Sequence, residues 1–119
     1  MRITPPDIDL LKPLVSIITV TKNSEKFIEK TIKSTLSQSY TNIEYLIIDG
    51  LSNDGTNDII KKYKAEIDYW VSESDRSMYD AINKGIRKSK GDIIAILNSD
   101  DYYVDSDVIS RVVKSLITS

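Results

Sequence analysis

Cysteine and histidine are both absent from the 119 residues. That excludes disulfides, thiol nucleophiles, imidazole bases and most zinc sites together, so any metal must be held by oxygen, which points to Mg²⁺, Mn²⁺ or Ca²⁺. Basic excess is missing too: 16 Lys and Arg stand against 18 Asp and Glu, a net charge of −2, and nucleic acid is not an expected partner. No apolar run approaches membrane-spanning length, and the start, Met1-Arg2-Ile3-Thr4-Pro5-Pro6, lacks the apolar core of a secretion signal. The expected location is the cytoplasm, with the inner face of a membrane as the further option. Only four glycines occur, and neither a Walker nor a dinucleotide phosphate loop is among their arrangements. Phosphates would therefore have to be held mainly through a metal.

What is present suits a single globular domain, with 40% hydrophobic and 29% charged residues. Residues 1–14 read as an N-terminal arm and 15–119 as the folded part. Leu14 to Thr21 is apolar or β-branched, as a strand buried on both faces should be. Asn23 or Ser24 can cap a helix with Phe27, Ile28, Thr31, Ile32 and Leu36 on one face. Ile43 to Asp49 is a second strand, and Thr56 can cap a helix carrying Ile59, Ile60 and Tyr63. A short third strand covers Ile67 to Ser72. Ser77 and Asp80 form a capping-box pattern at the head of a helix with Met78, Ala81, Ile82 and Ile86 on one face. Asp92 to Leu97 is a fourth strand. From Asp105 or Ser106 a last helix carries Val108, Ile109, Val112, Val113, Leu116 and Ile117. Strands alternating with helices predict right-handed βαβ units in a three-layer α/β/α fold, its sheet mostly parallel and ordered 3-2-1-4.

That order places the carboxyl ends of strands 1, 2 and 4 side by side, at the edge where α/β sheets bind ligands. Two acidic turns end there. Asp49, followed by Gly50 and a tight turn, should project from its strand and could accept a hydrogen bond from a base or ribose, or else cap its own turn through Ser52 or Asn53. Asp100 and Asp101 repel unless something positive lies beside them, and a divalent cation bridging to phosphate oxygens answers that; an N-terminal cap for the last helix is the plainer reading. Asp75, Arg76, Asp80, Asn83 and Lys84 gather at the start of the third helix. Asp80 serves there as capping acid or ligand contact, and Arg76 or Lys84 could meet a phosphate. Gly85 suits close helix packing.

Three segments, Val15-Ser16-Ile17-Ile18-Thr19-Val20-Thr21-Lys22-Asn23, Ile48-Asp49-Gly50-Leu51-Ser52-Asn53-Asp54-Gly55-Thr56 and Leu97-Asn98-Ser99-Asp100-Asp101, resemble the start of a family 2 glycosyltransferase with the GT-A fold. The stretch from Tyr69 to Ile86 is similar to a bacterial subgroup that builds surface polysaccharides. The resemblance implies an inverting transfer from a UDP-, GDP- or dTDP-linked sugar to a glycan or lipid-linked acceptor. It puts Thr21 and Lys22 in the nucleoside pocket with Asn23 beside them, Asp49 on the base, and Asp80, Asn83 and Asn98 near the donor. It assigns Mn²⁺ or Mg²⁺ to Asp100 and Asp101. Lys22 stands where the family has tyrosine, Asn98 where it has the first acid of D-x-D, and Leu51 where glycine is common. Family members are about twice this long, so the chain reads as a truncated, donor-binding half with its general base expected beyond Ser119. Part of the last helix's apolar stripe would then be left exposed, favouring self-association through Val112, Val113, Leu116 and Ile117. A non-catalytic nucleotide-binding or assembly module is the alternative; a receiver-like signalling domain would need acids at Thr21-Lys22-Asn23.

Overall fold

The computed structural model describes residues 12–118. The predicted arm lies mostly outside the described residues. The elements are β1 (Val15–Thr21), α1 (Ile28–Leu36), β2 (Ile43–Asp49), α2 (Thr56–Lys61), a 3₁₀ turn (Lys64–Glu66), β3 (Tyr69–Ser72), α3 (Met78–Lys88), β4 (Ile93–Ile96) and α4 (Val108–Thr118). All four strands are parallel, in the order β3-β2-β1-β4. Every residue of β1 is buried, as its central place and continuous apolar sequence require.

The order also explains the layers. Two crossovers carry the chain from β1 to β2 to β3 in one direction; the next returns past both to the far side of β1. Right-handed connections therefore put α1 and α2 on one face and α3 on the other. Ile28 and Ile32 of α1, Ile60 of α2, and Ile109 and Val113 of α4 pack on Val15, Ile17, Tyr45, Ile47 and Leu97. Across the sheet, Ala81 of α3 packs with Ile18, Val20, Leu46 and Ile48. Gly85 sets how near α3 comes: a Cβ there would lie 2.5 Å from Ile18 Cγ2.

Three local expectations are corrected. Neither Asn23 nor Ser24 caps α1 with its side chain; the Ser24 carbonyl instead accepts from the amides of Phe27 and Ile28, and the helix starts at Ile28. Thr56 lies inside α2, with the Asp54 carboxylate accepting from its amide and hydroxyl at 2.9 and 2.6 Å. In α4, Val113 is buried and Ile117 packs on the core, while Val112 and Leu116 are exposed, so only part of the apolar stripe faces outward. The capping box holds: Ser77 Oγ accepts from the Asp80 amide, while the Asp80 carboxylate reaches back to the Arg76 amide.

Candidate functional site: a cleft at the carboxyl edge of the sheet

Register fixes what meets at this edge. Thr21 pairs with Asp49 and Asp49 with Ser72, while backbone bonds from Leu97 to Ile18 and from Ser99 to Val20 extend β4 alongside β1. The reversal in strand order falls between β1 and β4, where a crevice opens. A cleft of about 580 Å³ occupies it, lined by Thr21, Lys22, Asn23, Gly50, Asp75, Arg76, Asn98 and Asp100 among others. That volume accommodates a small organic ligand.

The two turns bordering the cleft are built differently. Asp49 does not project. It is fully buried, and its oxygens accept from the Ser52 amide (2.8 Å), Ser52 Oγ (2.5 Å), Asn57 Nδ2 (3.1 Å) and Ser72 Oγ (2.7 Å). Those donors neutralise the need for a ligand, and the turn-capping alternative describes the residue. Asn23, held at φ +50°, ties the same turn down: its Oδ1 accepts from the Asn53 amide and its own amide donates to Ser52 Oγ.

After β4, the Asp101 amide donates to the Asn98 carbonyl at 3.0 Å and closes a turn over residues 98–101. Ser99 at its corner is buried and meets Ser24 Oγ at 2.6 Å. Asp100 is exposed on the cleft, and its carboxylate accepts no hydrogen bond from the described residues. Asp101 is exposed but not among the cleft's lining residues. Two other residues lining the cleft carry orphaned atoms: Thr21 Oγ1 and Asn98 Oδ1 are buried without a hydrogen-bond partner. Such atoms are costly unless a ligand or water meets them.

The opposite wall is the β3–α3 loop. Lys84 Nζ is held there by Asp75, by Glu73 at 3.2 Å and by the Ser74 carbonyl at 3.0 Å, with Asp80 at 3.9 Å. The hydrogen bond it donates to Asp75 is the main reason its ammonium pKa is raised. Lys84 is therefore committed within the protein and does not reach for phosphate. Arg76 lines the cleft. Asp75 also lines the cleft, with its Oδ2 3.2 Å from where a Cβ of Gly50 would be. Sequence reasoning gathered Asp75 into a polar cluster but had no signal for its orientation. Asp80 and Asn83 are not among the lining residues: Asp80 caps α3, and Asn83 is exposed.

Asn98 Oδ1 and Asp100 supply hard oxygen donors of the kind Mn²⁺ or Mg²⁺ takes. Among the described residues no group of three or more acids could hold a metal by itself. The set fits an ion that takes its remaining ligands from phosphate oxygens.

An α/β domain with a polar cleft at its strand-order switch is an architecture that binds its ligands at that edge. The match to the model described as Glycosyl transferase family 2, over residues 16–118, shows that the chain belongs to that family. An uncharacterized glycosyltransferase of Mycobacterium tuberculosis is 36% identical over 105 residues, covering 87% of this chain and 40% of the relative. The UDP-Glc:alpha-D-GlcNAc-diphosphoundecaprenol beta-1,3-glucosyltransferase WfaP of Escherichia coli is 39% identical over 100 residues, covering 83% of this chain and 40% of WfaP. Among solved structures, the mannosyltransferase PcManGT of Pyrobaculum calidifontis, in complex with GDP-Man and Mn²⁺, superposes with a TM-score of 0.82 at 26% identity, over 88% of this chain and 32% of that one. The GT-A expectation and the strand order are thereby met. The chain spans about 40% of the length of these curated relatives. No helix among the described residues is long and apolar enough to cross a membrane.

Proposed function

We propose that the cleft binds the nucleoside diphosphate of a sugar donor, as part of an enzyme that transfers the sugar to a glycan or lipid-linked acceptor in polysaccharide biosynthesis. The observation that carries the proposal is the pairing of an unbonded carboxylate, Asp100, with two orphaned buried oxygens, Thr21 Oγ1 and Asn98 Oδ1, in one crevice at the switch point. In this reading Thr21 meets a ribose hydroxyl. Lys22 lies along the nucleoside. Asp75, through its oxygen facing Gly50, accepts from a base N–H, a role Asp49 cannot take while four protein donors occupy it. Arg76 offers charge to the diphosphate.

Asp100, with the Asn98 amide oxygen, would hold Mn²⁺ or Mg²⁺; when bound, the cation neutralises charge on the leaving diphosphate. Relatives support this without deciding the donor: PcManGT was solved with GDP-Man and Mn²⁺, and the name of WfaP pairs UDP-Glc with a diphosphoundecaprenol-linked acceptor. Transfer also needs a base near the acceptor hydroxyl. The two acids lining the cleft, Asp75 and Asp100, have other tasks here, so binding rather than turnover is the property expected of these 119 residues. Titrating UDP-, GDP- and dTDP-sugars against the chain with and without Mn²⁺ tests the proposal. Metal-strengthened binding of one nucleotide class is the expected outcome; indifference to all of them would overturn it.

A further inference from the structure

The turn that carries Asp100 rests on the polar side of α1. Thr31, buried, has its hydroxyl 2.8 Å from the Ser99 carbonyl and 2.5 Å from that of Asp101, so one hydrogen is shared between the residues flanking Asp100. One helical turn on, Ser34 Oγ accepts from the Tyr103 amide at 3.0 Å. Just beyond the end of α1, Gln38 Nε2 donates to the Asp105 carbonyl at 2.7 Å, and its Oε1 accepts from the Ile109 amide at 3.1 Å. Lys30 sits over the Tyr102 ring, 3.9 Å from its centroid. Residues 31 and 34 share one face of α1, and Gln38 follows just past the helix end at Leu36. They are bonded, in order, to residues 99 and 101, then 103, then 105, so helix and loop run in step along this seam.

This seam explains how Asp100 stays in place while its own carboxylate has no protein partner. We infer that Thr31, Ser34 and Gln38 form a positioning rail for the cation site, with Thr31 fixing the backbone on both sides of Asp100. The rail touches neither nucleotide nor metal. It acts by removing the freedom that a turn with an exposed acid would otherwise have, so that less ordering is needed when the cation binds.

The inference rests on the proposed cation role of Asp100, and the test separates the two. Free Mn²⁺ is measured by electron paramagnetic resonance, alone and with UDP or GDP, for the chain and for the variants Thr31→Val, Thr31→Ser, Ser34→Ala and Asp100→Ala; nucleotide binding in EDTA is measured in parallel. Thr31→Val keeps the shape and loses the hydroxyl, and should weaken Mn²⁺ about 10-fold, the scale on which groups behind metal ligands act. Thr31→Ser should restore affinity, and binding in EDTA should not change. Ser34→Ala, at a half-buried site, should weaken Mn²⁺ less and speed hydrogen exchange of the Tyr103 amide. It serves as the readout if Thr31→Val does not fold. Loss of Mn²⁺ binding in Asp100→Ala with none in Thr31→Val or Ser34→Ala would overturn the rail alone. An equal loss of metal and metal-free nucleotide binding in Thr31→Val would also overturn it. Unchanged Mn²⁺ binding in Asp100→Ala would remove the cation reading and the rail with it.

Discussion

The turns after β2 and after β4 begin alike in sequence, an apolar run ending in acid, and end in opposite states. Asp49 is fully buried with four hydrogen bonds, while Asp100 is exposed with none from the described residues. The neighbours decide. Ser52, Asn57 and Ser72 bring hydroxyl, amide and backbone donors to Asp49 from its own turn, from α2 and from β3. Around Asp100 the protein bonds go to backbone instead, through Thr31 and Ser34 of α1. One acid is used to build the edge of the sheet, and the other is left for what binds there.

The largest expected effect breaks the first turn. Asp49→Ala would strand several buried donors at once and should cost about 3 kcal/mol of stability; Asp100→Ala, on exposed ground, should stay within about 0.5 kcal/mol. Urea denaturation of both variants measures the contrast, and equal losses would erase it. Next comes a change that disturbs neither turn directly. Gly85→Ala pushes a methyl group into Ile18 beneath the cleft wall. It should destabilise by about 2 kcal/mol, the range of overpacking, without altering which acid responds to metal.

Alkaline pH offers a perturbation of the body both turns share. Burial pushes the Tyr45 hydroxyl up to about 12 and that of Tyr103 up to about 12, and Lys84 is raised by Asp75. Each group binds its proton more tightly in the folded chain than in the unfolded one. The contribution to stability is therefore complete below the ordinary tyrosine value of about 10 and declines as pH rises toward 12. Tyr45→Phe should flatten that decline in a pH series of thermal melts. The smallest effect sharpens the β2 turn: Leu51 is 60% exposed at φ +60°, in the region that favours glycine. Leu51→Gly should gain up to about 1 kcal/mol, since strain is relieved and little packing is lost.

Much of this was legible in the chain. The continuous apolar run of β1, the alternation of elements and the direction of crossovers lead to the strand order 3-2-1-4, and the Ser77–Asp80 cap is plain in the spacing. Asp49 was legible as a strand-end acid but not as a buried one, because two of its partners, Asn57 and Ser72, lie 8 and 23 residues on and reach it through the packing of α2 and the register of β2 with β3. For the same reason Lys84 looked available for phosphate until the fold turned it onto Asp75 and Glu73. The α1 seam rests on contacts 67 to 71 residues apart. Spacing along the chain carries no trace of such pairs.

Calorimetric titration of UDP and GDP, with Mn²⁺ and then with EDTA, against the chain and Asp100→Ala tests the central claim most directly. The account predicts that Mn²⁺ tightens binding of one nucleotide to the chain and does nothing for Asp100→Ala, whose binding in EDTA matches the unaltered chain. Metal dependence that survives the loss of Asp100 would contradict it.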